Sequence, residues 1–235
     1  MPEPDIGGDV ARYLDASRDA YSRGSLEYFA RICLEVALTA HREGNYGIGA
    51  VAVHFEEGRV REYRGGNRMV TDSGIIDHAE TRALLRITRN ETPDAEYSFD
   101  FGPSDGLWVF GTLEPCPMCA CVMTNAGATR SISTIEDGRL HVEDGYQVSD
   151  GAANVIGDKF NTQPAIWRGI QRGRGLEFHI LPTADVQLQS LSRRIFEETR
   201  AQTDQKLTDR THIGHAASVG ESYRRRSLHP GSLRA

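Results

Sequence analysis

Apolar positions along the chain follow helical and strand periods in turn. After Ser25, residues Leu26, Phe29, Ala30, Cys33, Val36, Ala37 and Ala40 recur at i, i+3, i+4 and i+7, and Gly44 ends the run. This spacing predicts a helix whose buried stripe includes Cys33 as a core thiol. A shorter helix is expected upstream, around Val10 to Tyr21. Tyr46 to Phe55 (YGIGAVAVHF) is rich in Val and predicts a strand, Glu56-Glu57-Gly58 a hairpin turn, and a second strand ends at Gly65-Gly66-Asn67. Asp77 to about Arg89 reads as the next helix, with Asp77 as cap and Glu80 three positions on. The polar stretch Asn90 to Asp105 reads as a loop leading to a short buried strand, Leu107-Trp108-Val109-Phe110. Cys116 opens another helix. Ser131 to Ile135 is a fourth strand, Leu176 to Leu181 a fifth, and Ala184 to about Leu207 a long amphipathic helix. Helices that alternate with strands predict an α/β fold, a three-layer α/β/α sandwich with a central mixed sheet of about five strands.

The chain has 235 residues, which fits one generous domain. The expected division is an N-terminal extension (1–24), a domain (25–209) and a C-terminal tail (210–235). Hydrophobic residues make up 39% and charged residues 26%, ordinary for a globular chain able to build a core. No apolar run approaches the roughly 18 residues that span a bilayer. The acidic start, Met-Pro-Glu-Pro-Asp, lacks the basic-then-apolar order of a secretory signal, so a cytoplasmic protein is expected. Net charge is −6. The tail holds five Arg against one Glu, so it carries +4 and the first 209 residues −10. That division weighs against holding nucleic acid by phosphate neutralisation alone, although Arg224-Arg225-Arg226 offers a small basic cluster.

Three of the four cysteines, Cys116, Cys119 and Cys121, lie within six residues, which is not a disulfide framework. Two motifs stand at predicted helix starts: His78-Ala79-Glu80 and Pro115-Cys116-Pro117-Met118-Cys119. One imidazole and two thiolates form a suitable set for Zn²⁺. Cys116 and Cys119, at i and i+3, share one face of a helical first turn, where the helix dipole favours thiolate. Three ligands without an evident fourth are the pattern of a catalytic zinc rather than a structural one. Glu80, two residues past His78, is placed to move protons beside the metal. Cys121 should point to another face of its helix and is expected to be a core thiol.

The pair H-x-E and P-C-x-x-C resembles the signature of the zinc-dependent cytidine/deoxycytidylate deaminase superfamily. Gly49-Ala50-Val51-Ala52-Val53 is similar to that family's first strand. Thr112-Leu113-Glu114-Pro115-Cys116-Pro117-Met118-Cys119 resembles the branch that contains guanine deaminases, small-base cytosine deaminases and tRNA adenosine deaminases. The resemblance runs from about Ser25 to Ile135. It implies one Zn²⁺ held by His78, Cys116 and Cys119, with Glu80 as catalytic proton shuttle. It further implies that Asn67 and the backbone N–H of Ala79 bind the base. The implied reaction is hydrolytic loss of ammonia from a small nucleobase, nucleoside or close analogue, in a homodimer. Ala120-Cys121-Val122-Met123 departs from this branch's usual small residues, and residues 137 to 175, which match no subfamily, carry part of what would set the substrate.

Other readings stay open. A tRNA-specific adenosine deaminase fits the Thr112–Cys119 segment about as well, and the basic tail would supply its RNA contact. A zinc-stabilised module that binds nucleotides or RNA without turnover is a third reading, against which Glu80 stands. Gly47-x-Gly49-x-x-Ala52 mimics a dinucleotide fingerprint, but its glycines follow a helix and open a strand, the reverse of what that motif requires. A thiol–disulfide oxidoreductase would use Cys-x-x-Cys but has no need of His78 and Glu80. Trp108 and Phe110 are expected in the core, Phe160 and Trp167 are candidates to stack on a base, and the remaining histidines show no ligand spacing.

Overall fold

In a computed structural model, residues 5–72, 74, 76–98, 106–136 and 172–209 are described. They form helices α1 (Ile6–Ala16), α2 (Leu26–Arg42), α3 (Ala79–Thr88), α4 (Pro117–Asn125) and α5 (Val186–Asp209). The strands are β1 (Gly49–Glu56), β2 (Arg59–Gly66), β3 (Ala95–Ser98), β4 (Gly106–Leu113), β5 (Ala128–Ile135) and β6 (Glu177–Ile180), in the order β3-β2-β1-β4-β5-β6. The pairs β3–β2, β2–β1 and β1–β4 are antiparallel, and β4–β5 and β5–β6 are parallel, so the sheet is mixed.

Helix α2 follows its apolar stripe. Ser25 caps it by accepting a hydrogen bond from Tyr28 N at 3.1 Å, an interaction that stabilises a helix by about 1 kcal/mol. Gly44, at φ 82°, turns the chain out of the helix. Glu57 and Gly58 both take positive φ and make the tight β1–β2 turn. On one sheet face α1, α2 and α5 bury Val10, Phe29, Leu34 and Ile195 against Val51, Val53 and Phe110. On the other, Leu84 of α3 and Met123 of α4 pack on Ala52, Tyr63 and Val109. This is the expected three-layer sandwich, and Cys33 and Phe110 are buried in it.

The structure departs from expectation in four places. A sixth strand, β3, lies in the segment read as a loop: Ala-Glu-Tyr-Ser is too short and polar to signal a strand, and it forms because β2 has a free edge. Helix α1 starts at Ile6 rather than Val10, since Asp5 caps it by accepting from Gly8 N at 2.9 Å and so offsets two helix-poor glycines. Its Ile6, Val10, Tyr13 and Leu14 join the core. The N-cap of α3 is His78, not Asp77, because the Asp77 carboxylate is taken up by Arg82 at 3.3 Å. Cys121 is exposed rather than a core thiol, because α4 buries Cys119, Ala120 and Met123 instead. Phe160, Trp167 and the basic tail lie outside the described residues.

This topology brings the two motifs together. Strands β2 and β4 flank β1, each antiparallel to it, and therefore run the same way and end at one edge of the sheet. From that edge the chain passes through Asn67 to α3 and through Glu114-Pro115 to α4, so both helices begin where the strands end, the usual place for a site in an α/β sheet. Gly65 lets α3 lie close on β2: a Cβ there would stand 2.5 Å from Ala83 N and nearer still to Ala79 O.

Candidate metal centre

His78 is the N-cap of α3, with extended backbone and no side-chain capping bond, so its imidazole is free to face α4. Cys116 is the N-cap of α4, and its sulfur accepts from Cys119 N at 3.5 Å. Pro117 follows at a position where a missing N–H is no loss. His78, Cys116 and Cys119 place one donor atom each within 4.8 Å of the others. Cys116 Sγ lies 3.4 Å from Cys119 Sγ and 3.7 Å from His78 Nδ1. Tetrahedral zinc, with Zn–S near 2.3 Å and Zn–N near 2.0–2.1 Å, would set these separations at about 3.8 and about 3.6 Å. Both separations lie within a few tenths of an ångström of these values, and the donor set fits one Zn²⁺.

The electrostatics agree. The thiol of Cys119 beside it, and the His78 imidazole, hold Cys116 well below the ordinary thiol range despite burial. Cys119, sharing its proton with Cys116 and fully buried, is raised. Burial opposes the charge on His78, but its hydrogen bond to Cys116 and the negative charges of Cys116, Glu80 and Asp77 together outweigh that and leave its pKa raised. A site that settles negative charge on one sulfur and draws positive charge to the imidazole is suited to a soft cation.

Glu80 lies in the first turn of α3, 5% exposed, and Cys119 Sγ donates to its Oε2 at 3.5 Å. Burial first, then the negative charge at Cys116, pushes its carboxyl up to about 7. A carboxyl poised there both accepts and returns a proton near neutral pH. Ala79 is fully buried at the first position of α3, where a backbone N–H has no partner within the helix. Asn67 is buried at the end of β2; its backbone N–H donates to Ile48 O at 3.0 Å and its Oδ1 accepts from Met69 N at 3.2 Å. The next residue, Arg68, donates its N–H to Asp77 O at 2.9 Å, which ties the chain beside Asn67 to the chain beside His78.

The six residues singled out from sequence thus converge on one sheet edge. Their supports were not legible. Thr81 Oγ1 donates to His78 O at 2.9 Å, and Arg82 reaches both Asp72 and Asp77 at 3.3 Å, fixing the entry to α3. Thr112 Oγ1 accepts from Gly49 N at 3.2 Å and joins β4 to β1 just before the cysteine loop. A polar residue near a motif is the sole signal for any of them. No described helix is long and apolar enough to cross a membrane.

Residues 23–135 match the model of the cytidine and deoxycytidylate deaminase zinc-binding region. No curated protein matches the sequence. Among solved structures, a guanine deaminase from Nitrosomonas europaea is 14% identical, covers 80% of this chain and 92% of its own, and has a TM-score of 0.47. A structure from work on A-to-I editing by tRNA:A34 deaminases is 27% identical, covers 47% and 77%, and has a TM-score of 0.37. A dCMP deaminase from the cyanophage S-TIM5 is 16% identical, covers 65% and 96%, and has a TM-score of 0.35. Residues 23–135, which hold α2 to α4 and β1 to β5, are thus a cytidine and deoxycytidylate deaminase zinc-binding region.

Proposed function

We propose that this protein is a zinc-dependent hydrolase that releases ammonia from the exocyclic amine of a small nucleobase, nucleoside or close analogue. The observation that carries the proposal is the buried Glu80 carboxyl, 3.5 Å from one sulfur of a three-donor set that fits zinc. In this reading His78 Nδ1, Cys116 Sγ and Cys119 Sγ would hold one zinc ion. When bound, zinc supplies Lewis acidity, lowering the pKa of a water it holds from about 15.7 towards about 7. Glu80 accepts the proton of the attacking water and passes it to the ring nitrogen beside the reacting carbon; it then takes the proton of the hydroxyl now on that carbon and delivers it to the amine, which leaves as ammonia while the carbonyl forms. Asn67 and the Ala79 N–H hydrogen-bond the ring and hold its amine-bearing carbon towards the metal. Residues 25–209 form the deaminase domain, and the assembly is a homodimer.

A small substrate is favoured over RNA because the first 209 residues carry −10, whereas affinity for nucleic acid draws heavily on neutralised phosphates. The basic tail is the one feature that favours a tRNA adenosine deaminase instead. Ammonia release across a panel of bases, nucleosides, nucleotides and one tRNA decides between them. Turnover confined to one class of small ring supports the proposal. Turnover of tRNA alone, lost on removing residues 210–235 and weakened by salt, replaces it with the second reading.

A further inference from the structure

Asn45 stands at a position where the fold has no evident use for an amide. It is the second residue past the C-cap of α2: Gly44 N donates to His41 O at 2.8 Å and Asn45 N to Ala40 O at 3.0 Å, the paired bonds that close a helix through a left-handed glycine. The side chain at that position ordinarily packs as an apolar group on the last helical turn. Here it is an asparagine, 1% exposed. A buried amide is costly unless its donors and acceptor are satisfied.

Among the described residues, its side-chain bonds all go to a single distant segment. Oδ1 accepts from Val70 N and from Thr71 N, each at 3.0 Å, and Nδ2 donates to Thr71 Oγ1 at 3.2 Å. Residues 70 and 71 lie between Asn67 and His78, nearer to Asn67. The far end of that segment has separate ties: Arg82 to Asp72 and Asp77, and Thr81 to His78 O. Of the near half, Asn67 N–H is held by Ile48 O and Arg68 N–H by Asp77 O; Val70 and Thr71 are held to the body of the protein through Asn45.

We infer that Asn45 is a positioning residue: it fixes the 68–71 segment and thereby sets where Asn67 presents its amide to the ring. The inference rests on the deaminase reading above and adds to it a residue outside both metal motifs. Because His78 is anchored through α3, loss of the Asn45 amide loosens ring binding and leaves the metal in place.

The test compares wild type, Asn45→Ala and Asn45→Asp on whichever base or nucleoside the wild type deaminates, with zinc content and amide hydrogen exchange measured on each. Asn45→Ala should raise KM at least tenfold with kcat within about threefold, keep one zinc per chain, and lose protection at the Val70 and Thr71 amides. Asn45→Asp keeps an acceptor for both amides, and the Thr71 hydroxyl can donate to it, so KM should return to within about threefold of wild type. An unchanged KM in Asn45→Ala overturns the inference. So does a parallel loss of kcat and zinc, or a failure of Asn45→Asp to rescue, since both mark a merely structural residue. Wild-type protein that carries zinc but releases no ammonia refutes the deaminase reading itself, and the role of Asn45 falls with it.

Discussion

Replacing Gly65 by alanine tests whether the metal site depends on how closely α3 lies on β2. The added Cβ would stand 2.5 Å from Ala83 N, about 0.9 Å short of the 3.4 Å at which ordinary contact begins, and closer still to Ala79 O. Both are backbone atoms, so no side chain can swing aside, and α3 must move outward by roughly that amount. His78 and Glu80 ride on its first turn, whereas Cys116 and Cys119 belong to α4 and stay behind. A misplacement of about 1 Å can cost about 10²-fold in rate, and overpacking a close contact typically costs about 1–3 kcal/mol of stability. Gly65→Ala should therefore fold, melt several degrees lower, bind zinc more weakly, and lose about 100-fold in kcat/KM. Gly66→Ala is the control: its Cβ would meet nothing nearer than Val36 Cγ1 at 3.4 Å, on the other face of the sheet. The assay is ammonia release at fixed free zinc beside thermal melts of all three proteins. Full activity in Gly65→Ala, or an equal loss in Gly66→Ala, would refute the coupling.

Three further outcomes are expected. Glu80→Gln should retain one zinc per chain while turnover falls by about 10²–10⁴-fold, since it removes the proton carrier and no ligand; metal analysis beside ammonia release checks this. Cys116→Ala should lose the metal and melt lower than zinc-loaded wild type, because zinc bound only by the folded site adds its binding energy to folding. Asp185 caps α5 by accepting from Leu188 N at 2.8 Å, and it also accepts from the hydroxyls of Tyr13 (2.8 Å) and Tyr21. Asp185→Ala should cost about 2 kcal/mol by urea titration, from a lost cap and a tyrosine hydroxyl left buried. Burial opposes the Asp185 charge, but the Tyr21 bond and its other donors outweigh it and hold its pKa below the ordinary carboxylate value. Its contribution is therefore complete above about pH 4–5 and fades as pH falls through the lowered folded value, so the two proteins should converge in acid.

What sequence could reveal here was set by how local each feature is. The stripe of α2, the Glu57-Gly58 turn and both zinc motifs are written in adjacent residues, and each lies where expected within a residue or two. Strand β3 was hidden because Ala95–Ser98 has no pattern of its own and becomes a strand by pairing with Arg59–Glu62. The start of α1 was obscured by Gly7-Gly8, whose poor helix propensity is outweighed by the Asp5 cap and by burial of Ile6. Asn45 and Gly65 look unremarkable in sequence. Their meaning comes from Val70 and Thr71 in one case and Ala79 and Ala83 in the other, contacts made only in the fold. Cys121 shows the converse error: it takes another face of α4 than Cys119, as its spacing predicts, but that face is exposed rather than core.

Metal-stripped protein, titrated with zinc while ammonia release is followed on its best substrate, tests the central claim most directly. The account predicts no activity in the stripped protein, a linear recovery that saturates at one zinc per chain, and no recovery in Glu80→Gln despite equal metal uptake. Ammonia release that persists without zinc, or that Glu80→Gln regains in step with wild type, would contradict it.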